Sequence, residues 1–439
     1  MPSCHHEQPR LRGLLAALAG HVLLCAPAAS ALLVKAGSGT CSMDLEAWAE
    51  KRVQLQLKPW AKTGITEGML QHALEYRPRW RRPGYIELTT VRGKKVLVSD
   101  GLDLGTKAWF NYTKRAIAHW PFEEEELKEF KMLFGRGDFP MLLKGDPNAD
   151  PSLNAPIITN TNNGNFWEVM MPVSWRPQFD VGFEEERTAA LRIGAKIPWR
   201  QREDVAVWRG VVGCATGCGA RGKAYFPQGT LDTCKDDATS DWDANAIGAT
   251  WGCGDDSWTN SSLSWTHHPR VELVNRFATG KEVNRCGIDV GFHTYQRHGA
   301  WLRKRVNRFT MQSWMKPEMT DEETATFKYV FHVGNNGYSD RSWRMFALGA
   351  VVLLVDNGWS EWYFSLMKPW VHYIPVKADS SDACEVLQWA RKNPAEAQKI
   401  ADNGREFIEK CMTESFVDLY VAEVVRQMGA LWELGDKAK

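Results

Sequence analysis

Net charge is almost absent from this 439-residue sequence: 54 lysines and arginines stand against 53 aspartates and glutamates, a formal charge of +1. So balanced a chain offers no broad cationic face to a phosphate backbone, which argues against a general nucleic-acid-binding protein. Long apolar runs are nearly absent too. Apart from the N-terminal segment, no stretch reaches the 20 or so apolar residues of a membrane-spanning helix. The glycine-rich loop at Gly334–Ser339 is neither G-x-G-x-x-G nor a Walker loop ending in Gly-Lys-Ser/Thr, so neither a dinucleotide enzyme nor an ATPase is indicated. Metal-type spacing is missing as well. Cys214, Cys218, Cys234 and Cys253 lack a paired C-x2-C and an interleaved histidine, and no carboxylate pair at helical spacing accompanies His267 and His268. No metal centre is expected.

What is present is a globular composition, 44% hydrophobic and 24% charged, in a chain long enough for two domains. Twenty-one tryptophans are a surplus that either packing or a sugar-binding cleft would use. At the N-terminus Arg10 and Arg12 precede an apolar stretch from Leu14 to Ala26, and Ala29 and Ala31 form an A-x-A cleavage pattern. Residues 1–31 read as a signal peptide. Adding Leu32 to Val34 lengthens the run towards the alternative, an uncleaved anchor, and only then would the protein meet a membrane. Either way the chain is expected in the secretory pathway. Cys4 and Cys25 would leave with the signal, and the remaining eight of ten cysteines would form disulfides in an oxidising lumen. Asn111 (N-Y-T) and Asn260 (N-S-S) are glycosylation acceptors there.

Residues 32–197 mix helical and strand patterns. "WAEKRVQLQLKPW" is spaced as a helix, "GYIELTTVRGKKVLVSD" as a hairpin turning on Arg92 and Gly93, "PFEEEELKEFKMLF" as an acidic helix start, and "APIITNT" as a buried strand. A second unit, 198–410, opens on the strand "VAVWRG" and is interrupted by a Cys/Gly/Asp-rich insertion at 213–265. Its last third alternates strand and helix: "KYVFHV", "DRSWRMFALG", "AVVLLVD", "VHYIPV", then two helices broken at Asn393-Pro394. This alternation predicts a parallel sheet with helices on both faces, and residues 411–439 a closing helix. In such a sheet ligands sit beyond the C-terminal strand ends, where loops lead into helices. The loop "GNNGYSDR" fits an anion: small residues allow close approach, Ser339 donates, and Arg341 adds a charged fork. The plainer reading makes Gly334 and Gly337 turn residues and Arg341 a surface charge.

"GYSDRSWRMFALGAVVLLVDNGWSEWYFSLMKPWVHYIPV", with "WRG" upstream and "NPAEAQKIADNGREFI" downstream, resembles glycosyltransferase family 90, which includes the Rumi-type protein O-glucosyltransferases and capsule-associated xylosyltransferases. The resemblance is strongest over 328–410. It implies an α/β, GT-B fold: two Rossmann-like domains facing across a cleft, the N-terminal one on the acceptor side, the C-terminal one holding a UDP-sugar. It implies an inverting, metal-independent transfer of glucose or xylose to a hydroxyl of a protein or glycan, with no cofactor. By the same resemblance Arg209, Ser339 and Arg341 hold the diphosphate, Asn336, Gly337 and Tyr338 supply backbone around it, and Glu361 grips the ribose. Inversion requires a carboxylate to take the acceptor's proton. The family's R-D-aromatic-Pro string is met here by "GRGDFP", in which Gly137 separates Arg136 from Asp138, leaving Asp138 as the base. Trp167 and Trp175, in "NFWEVMMPVSW", are placed on the acceptor side. The family also leaves open a transfer onto polysaccharide, and a non-catalytic sugar- or nucleotide-binding protein of the same fold. The chain ends "ELGDKAK" without a K-D-E-L-like tail, so the ER retention of many animal members is not implied. His332 and His372, in apolar strands, read as hydrogen-bonded core histidines, with contact to the cleft as the alternative.

Overall fold

The computed structural model describes residues 22–23, 41–75, 83–99, 104–135, 142, 144, 147–162, 164, 166–172, 182–211, 269–279, 286–294, 308–334, 339, 341–356 and 359–437. Its N-terminal unit begins with the two-residue strand β1 (Val22–Leu23), within the stretch expected to be a signal. Helix α1 (Leu45–Leu57) starts where the Asp44 carboxylate accepts the Ala47 N–H at 3.0 Å, and it buries Ala49, Val53 and Leu57. After α2 (Glu67–Glu75) come β2 (Gly84–Val91) and β3 (Lys94–Ser99), paired antiparallel. Arg92 and Gly93 both take positive φ, 51° and 73°, so the expected hairpin turns as a type I′ loop. Helix α3 is Leu104–Ala118.

The acidic helix expected at "PFEEEELKEFKMLF" does not form. Glu124–Glu126 make a single 3₁₀ turn, and Phe130–Phe134 are strand β4, burying Phe130, Met132, Leu133 and Phe134. β4 lies between β2 and β5 (Ile157–Thr159), and a slot with partners on both edges overrides the helical pattern of the glutamates. β6 (Thr161–Asn162), β7 (Val169–Met170) and α4 (Phe183–Ala195) complete the unit. The sheet order is β1-β3-β2-β4-β5-β7; β4, β5 and β7 are parallel and the hairpin side antiparallel.

The C-terminal unit contains β8 (Glu203–Val211), α5 (Pro269–Val274), β9 (Ile288–Thr294), α6 (Arg308–Ser313), α7 (Asp321–Thr324), β10 (Phe327–His332), α8 (Ser342–Ala347), β11 (Val351–Val355), β12 (Ser360–Glu361), β13 (Ile374–Val376), α9 (Ala383–Lys392), α10 (Pro394–Glu406) and α11 (Glu414–Lys437). Its sheet runs β13-β11-β10-β8-β9, with every pair parallel as the alternation predicts. Asn393 and Pro394 divide α9 from α10 at the expected break. The whole of the Cys-rich insertion at 213–265, with its four cysteines, lies outside the described residues. From β8 the chain adds β9 on one side, then returns to place β10 on the other. Strand order therefore reverses between β8 and β10.

Alternation along these strands builds two cores. Ala206, Trp208, Tyr329, Phe331, Val351 and Leu353 face one, while Val207, Val330 and Val352 join a core continuous with the N-terminal unit. Helix α11 returns to that unit, packing Phe416, Val417, Tyr420 and Val421 into the same core against α1 and α3. Its Gly435 approaches so closely that a Cβ there would lie 2.0 Å from the Ile65 carbonyl oxygen. Two disulfides, Cys41–Cys411 and Cys286–Cys384, account for the four cysteines of the described residues. The first closes a sequence separation of 370 residues, the kind of long loop for which chain entropy gives a cross-link several kcal/mol of stabilisation.

Candidate functional site at the strand-order reversal

In an open parallel sheet the crevice at a strand-order reversal, beyond the C-terminal strand ends, is where ligands bind. Here it lies between Arg209-Gly210-Val211 closing β8 and His332 closing β10. Arg270, 4% exposed on α5, spans it: Nη1 donates to the Val211 carbonyl at 2.9 Å, Nη2 to that of Val333 at 3.2 Å and Nε to that of Gly334 at 3.2 Å. Its guanidinium lies 5.6 Å from the Trp208 ring centroid. From the start of α8, Arg341 donates Nη2–H to the Arg209 carbonyl at 2.7 Å. Two guanidinium groups thus bracket the strand ends. An anion is the ligand that such a bracket suits.

Arg209 is not presented as a simple free ligand. Its Nε donates to the Pro317 carbonyl at 3.2 Å, Nη1 to the carbonyls of Trp208 at 3.0 Å and Asp289 at 2.8 Å, and Nη2 to Asp289 Oδ2 at 2.6 Å. Four of the five guanidinium N–H groups are engaged within the protein. Lys316 Nζ adds a second cation 3.4 Å from Asp289 Oδ1. Two glycines make this packing possible. A Cβ on Gly210 would sit 2.5 Å from the Trp208 ring, and one on Gly291 would sit 2.2 Å from the Lys316 side chain.

Burial opposes ionisation of Asp289, but the hydrogen bond and charge of Arg209, with Lys316, outweigh it and hold the carboxyl below its ordinary value of 3.8. A carboxyl depressed by folding contributes stability above its unfolded pKa and loses it as pH falls through the folded one. Asp289→Asn is therefore expected to cost about 1–2 kcal/mol at neutral pH, less than a fully buried pair because Asp289 is 37% exposed. The deficit should shrink in urea titrations as pH falls below about 4, where the unfolded chain's carboxyl takes up its proton before the native one does, and should be gone once pH has passed through the lower native pKa.

Ser339 is buried, and its carbonyl accepts the Ser342 N–H at 3.0 Å. The helix expected from Asp340 to Gly349 is only Ser342–Ala347, so charge at its start comes chiefly from Arg341 rather than from a long macrodipole. Glu361, 3% exposed, accepts the Ser342 hydroxyl at 2.9 Å on Oε2, and the same hydroxyl meets Tyr363 OH at 2.7 Å. Burial and then the Glu361 charge push the Tyr363 phenol far above its usual pKa, so it stays a neutral hydrogen-bonding group. Strand β12, which carries Glu361, pairs antiparallel with β6 of the other unit, and Thr161 Oγ1 donates to the Ser360 carbonyl at 2.9 Å. Glu361 therefore sits where the two units join.

The half-buried Trp167 has Lys144 Nζ 4.7 Å from its ring centroid. Asn111 is exposed on α3, as glycosylation needs. Asp138, Asn336, Gly337, Tyr338, Trp175 and Asn260 lie outside the described residues. His372 is the satisfied core histidine expected, accepting the Lys368 N–H at 2.9 Å on Nδ1. His332 is not; its Nδ1 is buried without a hydrogen-bond partner. Among the described residues no three His, Cys, Asp or Glu cluster to hold a metal, and no helix is long and apolar enough to cross a membrane. Sequence reasoning missed Arg270, Asp289 and Ser342. The one signal available was Asp289, a lone charge inside the apolar strand "GIDVGF".

Residues 296–436 match the model of Glycosyl transferase family 90, a stretch that includes Ser339, Arg341 and Glu361 but neither Arg209 nor Arg270. Protein O-glucosyltransferase 1 of Homo sapiens is 37% identical over 94 residues, 21% of this chain and 24% of that protein. O-glucosyltransferase rumi of Drosophila pseudoobscura pseudoobscura is 37% identical over 93 residues, 21% of this chain and 23% of that protein. Uncharacterized protein 179R of Invertebrate iridescent virus 6 matches more of the chain, 45% of it at 26% identity, but 18% of its own length. The chain thus matches a quarter or less of each of these relatives. Anabaena HepE in complex with UDP aligns at 10% identity with a TM-score of 0.34, over 73% of this chain and 76% of that one.

Proposed function

We propose that the protein is a UDP-sugar-dependent glycosyltransferase of GT-B architecture, a reading supported by the match of residues 296–436 to the Glycosyl transferase family 90 model. The observation that carries the reading is the pair of guanidinium groups, Arg270 and Arg341, across the crevice where strand order reverses. A diphosphate leaving group gains negative charge as the glycosidic bond breaks, and fixed cations aimed at it stabilise that charge without rearranging at the moment of reaction. Arg341 and Ser339 hold the diphosphate, together with the backbone of Asn336, Gly337 and Tyr338. Glu361, oriented by Ser342, is the carboxylate for the ribose hydroxyls. Arg209 acts from behind: its ion pair with Asp289 fixes the end of β8, and its carbonyl orients Arg341.

Asp138 supplies the base. Of the described residues on either side of it, Gly135 donates its N–H to the Ile158 carbonyl at 2.8 Å and Leu142 donates its N–H to Glu168 Oε1 at 2.6 Å. Both contacts lie at the end of the N-terminal sheet from which β6 leads to β12 and Glu361. Direct displacement places the acceptor hydroxyl between that base and the anomeric carbon, which inverts the configuration. Trp167, with Lys144 over its ring, lines the acceptor side. The acceptor proposed is a hydroxyl of a protein or a glycan, and the donor sugar glucose or xylose. The disulfides Cys41–Cys411 and Cys286–Cys384 support an oxidising, luminal compartment.

The test is UDP release by the purified protein with a chelator present, across UDP-glucose, UDP-xylose, UDP-galactose and UDP-N-acetylglucosamine, with and without an EGF-like repeat. Turnover of one donor that survives chelation is expected, and stimulation by the repeat would identify a protein acceptor. No turnover with any donor and with a panel of glycan acceptors would leave a binding protein of the same fold.

A further inference from the structure

Strand β10 ends on His332, which is 4% exposed. Along the strand Tyr329 and Phe331 face the core on one side of the sheet, so alternation turns His332 with Val330 to the face shared with the N-terminal unit. There the ring meets Phe364 edge-on at 6.0 Å. Buried polar atoms in folded proteins nearly always find a hydrogen-bond partner. His372, also buried, obeys the rule; His332 Nδ1 does not. Two cations lie near enough for their charges to act on the ring: Arg341 at the start of α8, and Arg270, whose guanidinium bonds the carbonyls of the next two residues, Val333 and Gly334. Burial first, then these two charges, lower its pKa to about 3, so the imidazole is neutral at any physiological pH. Neutral imidazole carries one N–H and one lone pair.

A ring whose buried Nδ1 has no hydrogen-bond partner among the described residues, at the C-terminal end of the strand beside the reversal and within the charge of two guanidinium groups, is placed to meet an anionic ligand. We infer that His332 is a hydrogen-bonding ligand of the donor's diphosphate, contributing an N–H beside the charges that Arg341 and Arg270 bring to the strand ends. The inference rests on the UDP-sugar reading of the crevice and adds a residue to it. It also gives the buried polar atom a hydrogen-bond partner.

Three proteins decide it: the full chain, His332→Leu, which keeps an apolar side chain of similar bulk without polar atoms, and His332→Gln, which keeps an N–H. Binding of UDP and of uridine is measured by calorimetry beside the melting temperature. His332→Leu is expected to melt at or above the unaltered protein, because it removes an unsatisfied polar group. It should bind UDP about 10-fold more weakly, about 1.4 kcal/mol, with uridine affinity unchanged. His332→Gln should recover part of the loss. UDP binding by His332→Leu equal to that of the unaltered protein would overturn the inference, leaving the UDP-sugar reading intact. Equal weakening for UDP and uridine would overturn it too, by showing a general distortion. If the unaltered protein binds no UDP, the UDP-sugar reading itself fails. Should the leucine variant not fold, His332→Ala carries the same comparison.

Discussion

Asp138→Asn is expected to lower the rate of sugar transfer by about 10²- to 10⁴-fold while leaving UDP affinity within about twofold of the unaltered protein. The magnitude follows from what the amide lacks. It retains the size and hydrogen-bonding reach of the carboxylate but cannot take a proton, so the acceptor hydroxyl attacks without the base that makes it a competent nucleophile. The separation of effects follows from position. The guanidinium bracket belongs to the C-terminal sheet, whereas the described residues flanking Asp138, Gly135 and Leu142, bond to Ile158 and Glu168 of the N-terminal unit. Transfer is measured with saturating donor and acceptor, and affinity by calorimetry with UDP. A fall in both by the same factor would move Asp138 into donor binding. No fall in either would remove it from the mechanism and favour a non-catalytic protein.

The C-terminal unit was legible because its signals are local. "KYVFHV", "AVVLLVD" and "VHYIPV" are apolar strands separated by helices, and such an alternation leaves little choice but a parallel sheet. The hairpin at Arg92-Gly93 was legible for the same reason. What failed was the acidic run at Glu123–Glu126. Its glutamates are ordinary first-turn residues, but "EFKMLF" completes the sheet between β2 and β5, and no local pattern reports that vacancy. The site divides in the same way. Ser339 and Arg341 stand in one loop and could be read together. Arg270 reaches the crevice from a short helix next to the insertion, and Asp289 reaches Arg209 across 80 residues. Their meeting is a property of strand order. For His332 the usual reading, a histidine satisfied by the core, gives way to the alternative of cleft contact, because among the described residues nothing partners Nδ1.

Arg341→Ala is expected to reduce kcat/KM for the donor by about 10²- to 10³-fold. Two charge-assisted hydrogen bonds to phosphate, each contributing about 1.5–3 kcal/mol, account for a loss of that size. The same truncation deletes the 2.7 Å bond to the Arg209 carbonyl, so a structural explanation must be separated from a catalytic one. Asp289→Asn provides the separation. It removes the charge that pairs with the Arg209 side chain while keeping both the Arg341 fork and the Arg209 backbone carbonyl that it bonds, so it should lower stability more than it lowers donor affinity. Arg341→Lys divides the effect further. A lysine restores the charge but presents it as a single rotatable ammonium, so it should recover about a tenth of the activity or less, with KM restored more than kcat. That pattern would mean that the ground-state diphosphate needs only a cation here, whereas the departing one needs the planar fork. Equal recovery in both would reduce Arg341 to a countercharge and shift leaving-group stabilisation to Arg270 and the buried ring of His332.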